Sequence, residues 1–136
     1  MNYKKFVIGG VIAGIAYAVI GWLVYTQILA GYLAHHTGQL GLLGRVKMNY
    51  KYLLLGNMLQ GFLLAYIFEV GNIKTLINGL ITAAIIGFLV SSSYDFVMYG
   101  TTFILSKKGL LVDVLGFTCM SAIVGAFLGF VNDKLK

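Results

Sequence analysis

Four carboxylates, Glu69, Asp95, Asp113 and Asp133, are all the acid this 136-residue chain holds. Three of them fall at or beside long apolar runs, where an ionised group costs about 2.5–3.5 kcal/mol on insertion scales. Asp95 lies about one turn before the end of one run and Asp113 about one turn into the next, so both belong near the same membrane face. Ser91, Ser92, Ser93, Tyr94 and Tyr99 surround Asp95 in sequence and offer oxygen ligands or proton-relay groups. The functional expectation is a polar vestibule built from Asp95, Asp113, Ser92, Tyr94 and Tyr99 that attracts a cation or an amine. Its rival is a set of interfacial salt bridges from the two acids to Lys107, Lys108, Arg45, Lys47 and Lys51. A second polar stripe runs Asn57, Gly61, Ala65, Glu69 at four-residue spacing, with Gln60 beside it and Asn78 and Thr82 as partners in the next run. Residues four apart share a helix face, so this stripe lines a water path or, more commonly in such helices, hydrogen-bonds one helix to another. Asp133, in the polar tail, is a solvated charge.

Other chemistry is thinly represented. His35 and His36 are adjacent, so on a helix they point about 100° apart, and no Cys or carboxylate follows at metal-ligand spacing. No metal site, cofactor or catalytic residue is therefore expected. The single cysteine, Cys119, forms no intrachain disulfide and reads as a small packed residue. No nucleophile motif or Gly-rich phosphate loop is present. A membrane enzyme built on Asp95 and a histidine stands only as a third reading.

The elements that must position these groups follow from composition. The chain is 60% hydrophobic and 10% charged, with a mean hydropathy of +0.91, whereas a soluble domain carries about 25% charged residues. It lacks the polar surface needed to stay in water. Proline is absent and there are 18 glycines, a residue that weakens soluble helices but lets membrane helices approach closely. A net charge of +6 does not point to nucleic acid, because the basic residues lie between or beyond the apolar runs, where they meet lipid headgroups. With about 20 apolar residues needed per crossing, spans are expected over about 6–30, 52–70, 73–99 and 110–131. Residues 31–51 form an interfacial connection, and Gly71-Asn72 signals a tight turn. The fold class is all-α: an integral membrane bundle of four transmembrane helices in a single domain. The first run is too long for a cleavable signal peptide and reads as an uncleaved anchor.

An even number of spans puts both termini on one side. Lys4, Lys5, Lys74, Lys134 and Lys136 share that side, and Arg45, Lys47, Lys51, Lys107 and Lys108 the other, five against five. The positive-inside rule is thus tied; early Lys4-Lys5 and bacterial habit favour cytoplasmic termini, in a bacterial inner membrane. A tie also fits dual insertion into an antiparallel dimer. Small residues recur every four positions: Gly10, Gly14, Ala18; Ala13, Tyr17, Gly21; Gly79, Ala83, Gly87; Ser121, Gly125, Gly129. They pack the four helices together or leave a seam for a second copy, and some self-association is expected. Tyr3, Trp22, Tyr25, Tyr32, Tyr50 and Tyr52 read as the interfacial aromatic belt. Membrane lipids are the expected surroundings. The function expected is a homo-oligomeric channel or carrier for a small solute or ion, the alternative being an accessory subunit packed against a larger membrane complex.

The pattern resembles an uncharacterised family of small bacterial four-span membrane proteins. That family shows a glycine followed by a Trp-Tyr pair in its first span; Gly21 and Tyr25 match, with Val24 in the tryptophan position and Trp22 nearby. Its last span opens with an aliphatic-Asp pair before a glycine and an aromatic, as do Val112-Asp113 and Gly116-Phe117. The resemblance implies a four-span fold and no particular activity. Small multidrug-resistance antiporters require a carboxylate deep in the first helix, which is missing here. The four-span fluoride channels share only size and glycine richness.

Overall fold

A peptide group in hydrocarbon has no water to bond, so a spanning segment must satisfy its own backbone, and a helix does so residue by residue. In a computed structural model, which describes residues 2–36, 49–104 and 106–134, the chain is all-helical. Helix α1 spans Tyr3–Trp22 and continues as a π-helical stretch over Leu23–Ile28. A short α2 covers Ala30–His35. The remaining helices are α3, Tyr50–Val70; α4, Leu76–Thr101; and α5, Lys107–Lys134. Four segments are long and apolar enough to cross a membrane, namely Tyr3–Ile28, α3, α4 and α5. Of the connection expected over 31–51, residues 37–48 lie outside the described residues, and Arg45 and Lys47 with them.

Local chemistry sets the ends. The Asn2 side chain caps α1 by accepting from the Lys5 N–H at 3.2 Å, so the helix starts at Tyr3 rather than where the uncharged run begins. Helix α5 begins and ends on lysines, whose long stems carry their charge to the headgroups. Between α3 and α4 the turn closes as a Schellman motif: Ile73 N–H donates to Phe68 O at 2.9 Å and Asn72 N–H to Glu69 O at 3.4 Å. The residue in the left-handed conformation is Asn72, at φ 51°, because Asn tolerates that region better than other side chains. Thr75 then caps α4 through the Asn78 N–H. Since 73–75 are used in the turn and cap, α4 starts at Leu76.

Helix α1 packs along α3, α4 along α5, and α1 also crosses α5, while α3 and α5 barely touch. The starts of α1 and α4 lie with the ends of α3 and α5, as the Asn2–Glu69, Gly9–Asn132 and Gly129–Thr75 proximities show. Both described termini are therefore at one end of the bundle, called here the termini end. The core is Ala13, Tyr17, Leu64, Ala65, Phe68, Ala83, Met120, Val124 and Leu128. Outward faces carry Val11, Ile15, Leu59, Leu63, Ile81, Ile85, Ile123 and Phe127, all exposed, as suits lipid contact.

Glycine makes the two pair contacts possible. A Cβ at Gly61 would overlap the backbone of Gly14, and one at Gly79 the carbonyl of Gly125. All the small-residue stripes turn inward: Gly10, Gly14, Gly79, Ala83, Gly87, Ser121, Gly125 and Gly129 are buried within the chain. Ala18 and Gly21, at the far end of the α1 stripes, are half-buried.

Candidate functional site

The end of the bundle opposite the termini holds the candidate site. Asp95 of α4 is 1% exposed, and its carboxylate accepts from the Ser91 hydroxyl one turn earlier at 3.2 Å. The Asp113 carboxyl of α5 lies close enough to interact with it. From α1, Tyr25 reaches across: its hydroxyl donates to Asp113 O at 3.5 Å and lies within the electrostatic range of both carboxyls. Three helices thus converge on one polar cluster. Ser92 is buried, and among the described residues its hydroxyl has no hydrogen-bond partner. Among the described residues neither acid makes an ion pair; Lys134 and Asp133 form one at 3.8 Å, out in the tail.

Tyr94 and Tyr99 do not join the cluster. Both are exposed, and for Tyr94 the reason is geometric: successive helical residues point about 100° apart, so an inward Asp95 turns its neighbour to the lipid. Ser91 takes the place expected for Ser92 as the direct partner of Asp95.

The second stripe separates into unrelated roles. Glu69 accepts from the Asn2 N–H at 3.0 Å, placing a negative charge at the positive end of α1. Asn78 is exposed and gives its main-chain N–H to the Thr75 cap. Asn57 turns its amide N–H₂ back to Leu53 O at 2.8 Å. Gln60 lies near the hydroxyl of Tyr17, which Ser121 approaches from α5. These contacts are too loose to count as hydrogen bonds, for Gln60 Nε2 and Ser121 Oγ are buried without partners. Buried polar groups are ordinarily satisfied by protein or water, so this mid-bundle node marks where polarity penetrates deepest.

At this end a cavity of about 470 Å³ opens between α1, α3 and α5. Ala18, Gly21 and Met120 line its depth; Trp22, Tyr25, Tyr50 and Phe117 form aromatic walls; Thr26, Gln27 and Asn57 supply polar groups. A recess of about 290 Å³ adjoins it past Leu53, Asn57 and Phe117, reaching Gln60. The π-helical stretch lies in this wall. Leu29 N–H donates five residues back to Val24 O at 2.8 Å, and such wider turns gather at functional sites. Tyr25 is the link the sequence hid, since it lines the cavity and contacts Asp113 behind it; in the sequence it reads as one belt aromatic among several. The polar pair Thr26-Gln27 inside an apolar run was the available signal.

His35 and His36 direct Nδ1 to carbonyls of their own helix, Gly31 O at 2.7 Å and Tyr32 O at 2.9 Å, and His36 stacks on Tyr32 at 4.0 Å between centroids. The His36 carbonyl accepts from the Ser106 hydroxyl at 2.6 Å, tying α2 to the start of α5. No three His, Cys, Asp or Glu residues converge as metal ligands among the described residues.

Comparison with protein-family models, with curated proteins and with solved structures finds no match.

Proposed function

We propose that the protein is a small carrier of a bacterial cytoplasmic membrane that admits a small solute at the end opposite its termini and holds it beside Asp95 and Asp113. The observation that carries this reading is the acid pair linked through Tyr25 to an open cavity. Retaining acids at membrane depth is costly, and among the described residues no cation offsets these two. A carrier fits better than an open channel because the termini half of the bundle is closed by glycine-mediated backbone contact, so passage requires the helices to move. Assembly into homo-oligomers belongs to the same proposal. The test is flux from proteoliposomes loaded with potassium, ethanolamine, glycine or acetate. At least one solute should leave faster than from protein-free liposomes, and Asp95→Asn or Asp113→Asn should slow it. If no solute moves, or if neither substitution changes the rate, the reading is wrong.

A further inference from the structure

We propose that the cavity between α1, α3 and α5 binds an organic ammonium ion with an apolar body. This rests on the carrier reading and adds the class of ligand. The first ground is the direction of its hydrogen-bonding groups. Tyr25 donates to Asp113 O, Thr26 to Trp22 O at 2.6 Å, Gln27 Nε2 to Thr26 Oγ1 at 3.2 Å, and Asn57 Nδ2 to Leu53 O. Four polar side chains of the lining thus commit a donor to their own helices or to α5. Thr26 Oγ1 already accepts from Gln27, which leaves the amide oxygens of Gln27 and Asn57, and Asn57 Oδ1 faces Gly21 across the cavity. Those amide oxygens suit a donor, and an ammonium is donor only.

The second ground is charge. Among the described residues no Lys or Arg lines the cavity, while Asp113 and Asp95 lie behind Tyr25. In a region of low dielectric such a pair projects its field further than in water. The third ground is the walls. Trp22, Tyr25, Tyr50 and Phe117 offer ring faces for cation–π contact, strongest when water is excluded, and the apolar depth at Ala18 and Met120 takes the body. A volume of about 470 Å³ falls in the range of small-molecule sites. Independently of the acids, the buried Ser92 hydroxyl without a partner, one turn before Asp95, shows polar capacity left unused beside them.

Trp22 is the only tryptophan and stands in the cavity wall, so its emission reports occupancy. The purified protein is titrated in phosphatidylglycerol nanodiscs with benzylamine, benzyl alcohol and phenylacetate, which share a ring and differ in the head group. Benzylamine should quench or shift Trp22 saturably, benzyl alcohol should bind about tenfold more weakly, and phenylacetate should not bind. The double substitution Asp95→Asn with Asp113→Asn should erase the preference for the amine. Asn57→Asp, which adds a charge where an acceptor now stands, should tighten benzylamine and supplies a readout if the double variant fails to fold. Adding phosphatidylethanolamine separates two sources of the same chemistry: competition with benzylamine identifies a lipid ammonium, and its absence a free amine. Equal binding of all three probes marks a general apolar or acyl-chain groove and overturns the proposal, as does tightest binding of phenylacetate. Ammonium binding without flux of any solute overturns the carrier reading alone. Flux without ammonium preference overturns only the ligand class.

Discussion

The two ends of the bundle solve opposite problems with the same helices. At the termini end, backbone meets backbone: Gly14 on Gly61, Gly79 on Gly125, Gly129 on Thr75, with Leu64, Ala65, Val124 and Leu128 filling the remainder. Polar groups there serve the ends, as in the Asn2–Glu69 contact. At the other end a cavity with four aromatic side chains in its lining opens between α1, α3 and α5, and the buried Asp95 and half-buried Asp113 lie against a tyrosine. Packing in a bilayer has no hydrophobic driving force between helices and depends on close fit. The glycine half therefore supplies the close fit, and the open half leaves room for a cavity.

The largest expected effects lie in the closed half. Gly61→Val and Gly125→Val force a side chain into a facing backbone and should cost about 3 kcal/mol or more, the upper range for overpacking. Gly56→Ala and Gly100→Ala, where an added Cβ meets nothing within 4 Å, should be neutral or stabilise by about 0.5–1 kcal/mol. Thermal unfolding in detergent compares them, and similar losses at all four would erase the distinction between the halves.

A smaller effect separates function from stability in the open half. Asp95→Asn keeps the Ser91 contact and should change stability by less than about 1 kcal/mol while impairing flux. A loss of about 3–5 kcal/mol would instead identify the carboxylate as half of a buried ion pair. The turn gives the mildest test: Asn72→Val places a β-branched residue at φ 51° and should cost about 1–2 kcal/mol, whereas Asn72→Gly should be near neutral in the same melts.

Much of the scaffold is legible in the residues. Uncharged runs mark the spans, Gly71-Asn72 marks the hairpin, and the small-residue stripes mark which faces turn inward. That Asp95 and Asp113 share an end follows from counting turns from the run boundaries. The rotation of each helix is harder to read, because lipid is as apolar as the core and hydropathy then has no period to fix the phase. Tyr94 adjoins Asp95 in sequence yet is turned outward, and Tyr99, one turn beyond Asp95, is partly exposed at 38%. Tyr25 was hidden for the converse reason: an aromatic near a span end looks the same whether it faces headgroups or a buried acid. The cavity depends on how α1, α3 and α5 pack together, a tertiary quantity that no local pattern encodes.

A bundle that admits solutes only at the end opposite its termini should expose its two halves unequally to a water-borne reagent. In a Cys119→Ser background, single cysteines at Asn57 and Gln27 in the open half, and at Ala13 and Ala65 in the closed half, are challenged with a membrane-impermeant maleimide in proteoliposomes opened to both faces. The account predicts that Asn57→Cys and Gln27→Cys react readily while Ala13→Cys and Ala65→Cys stay protected until the protein is unfolded. Equal labelling of both sets, or faster labelling of the closed half, would contradict it.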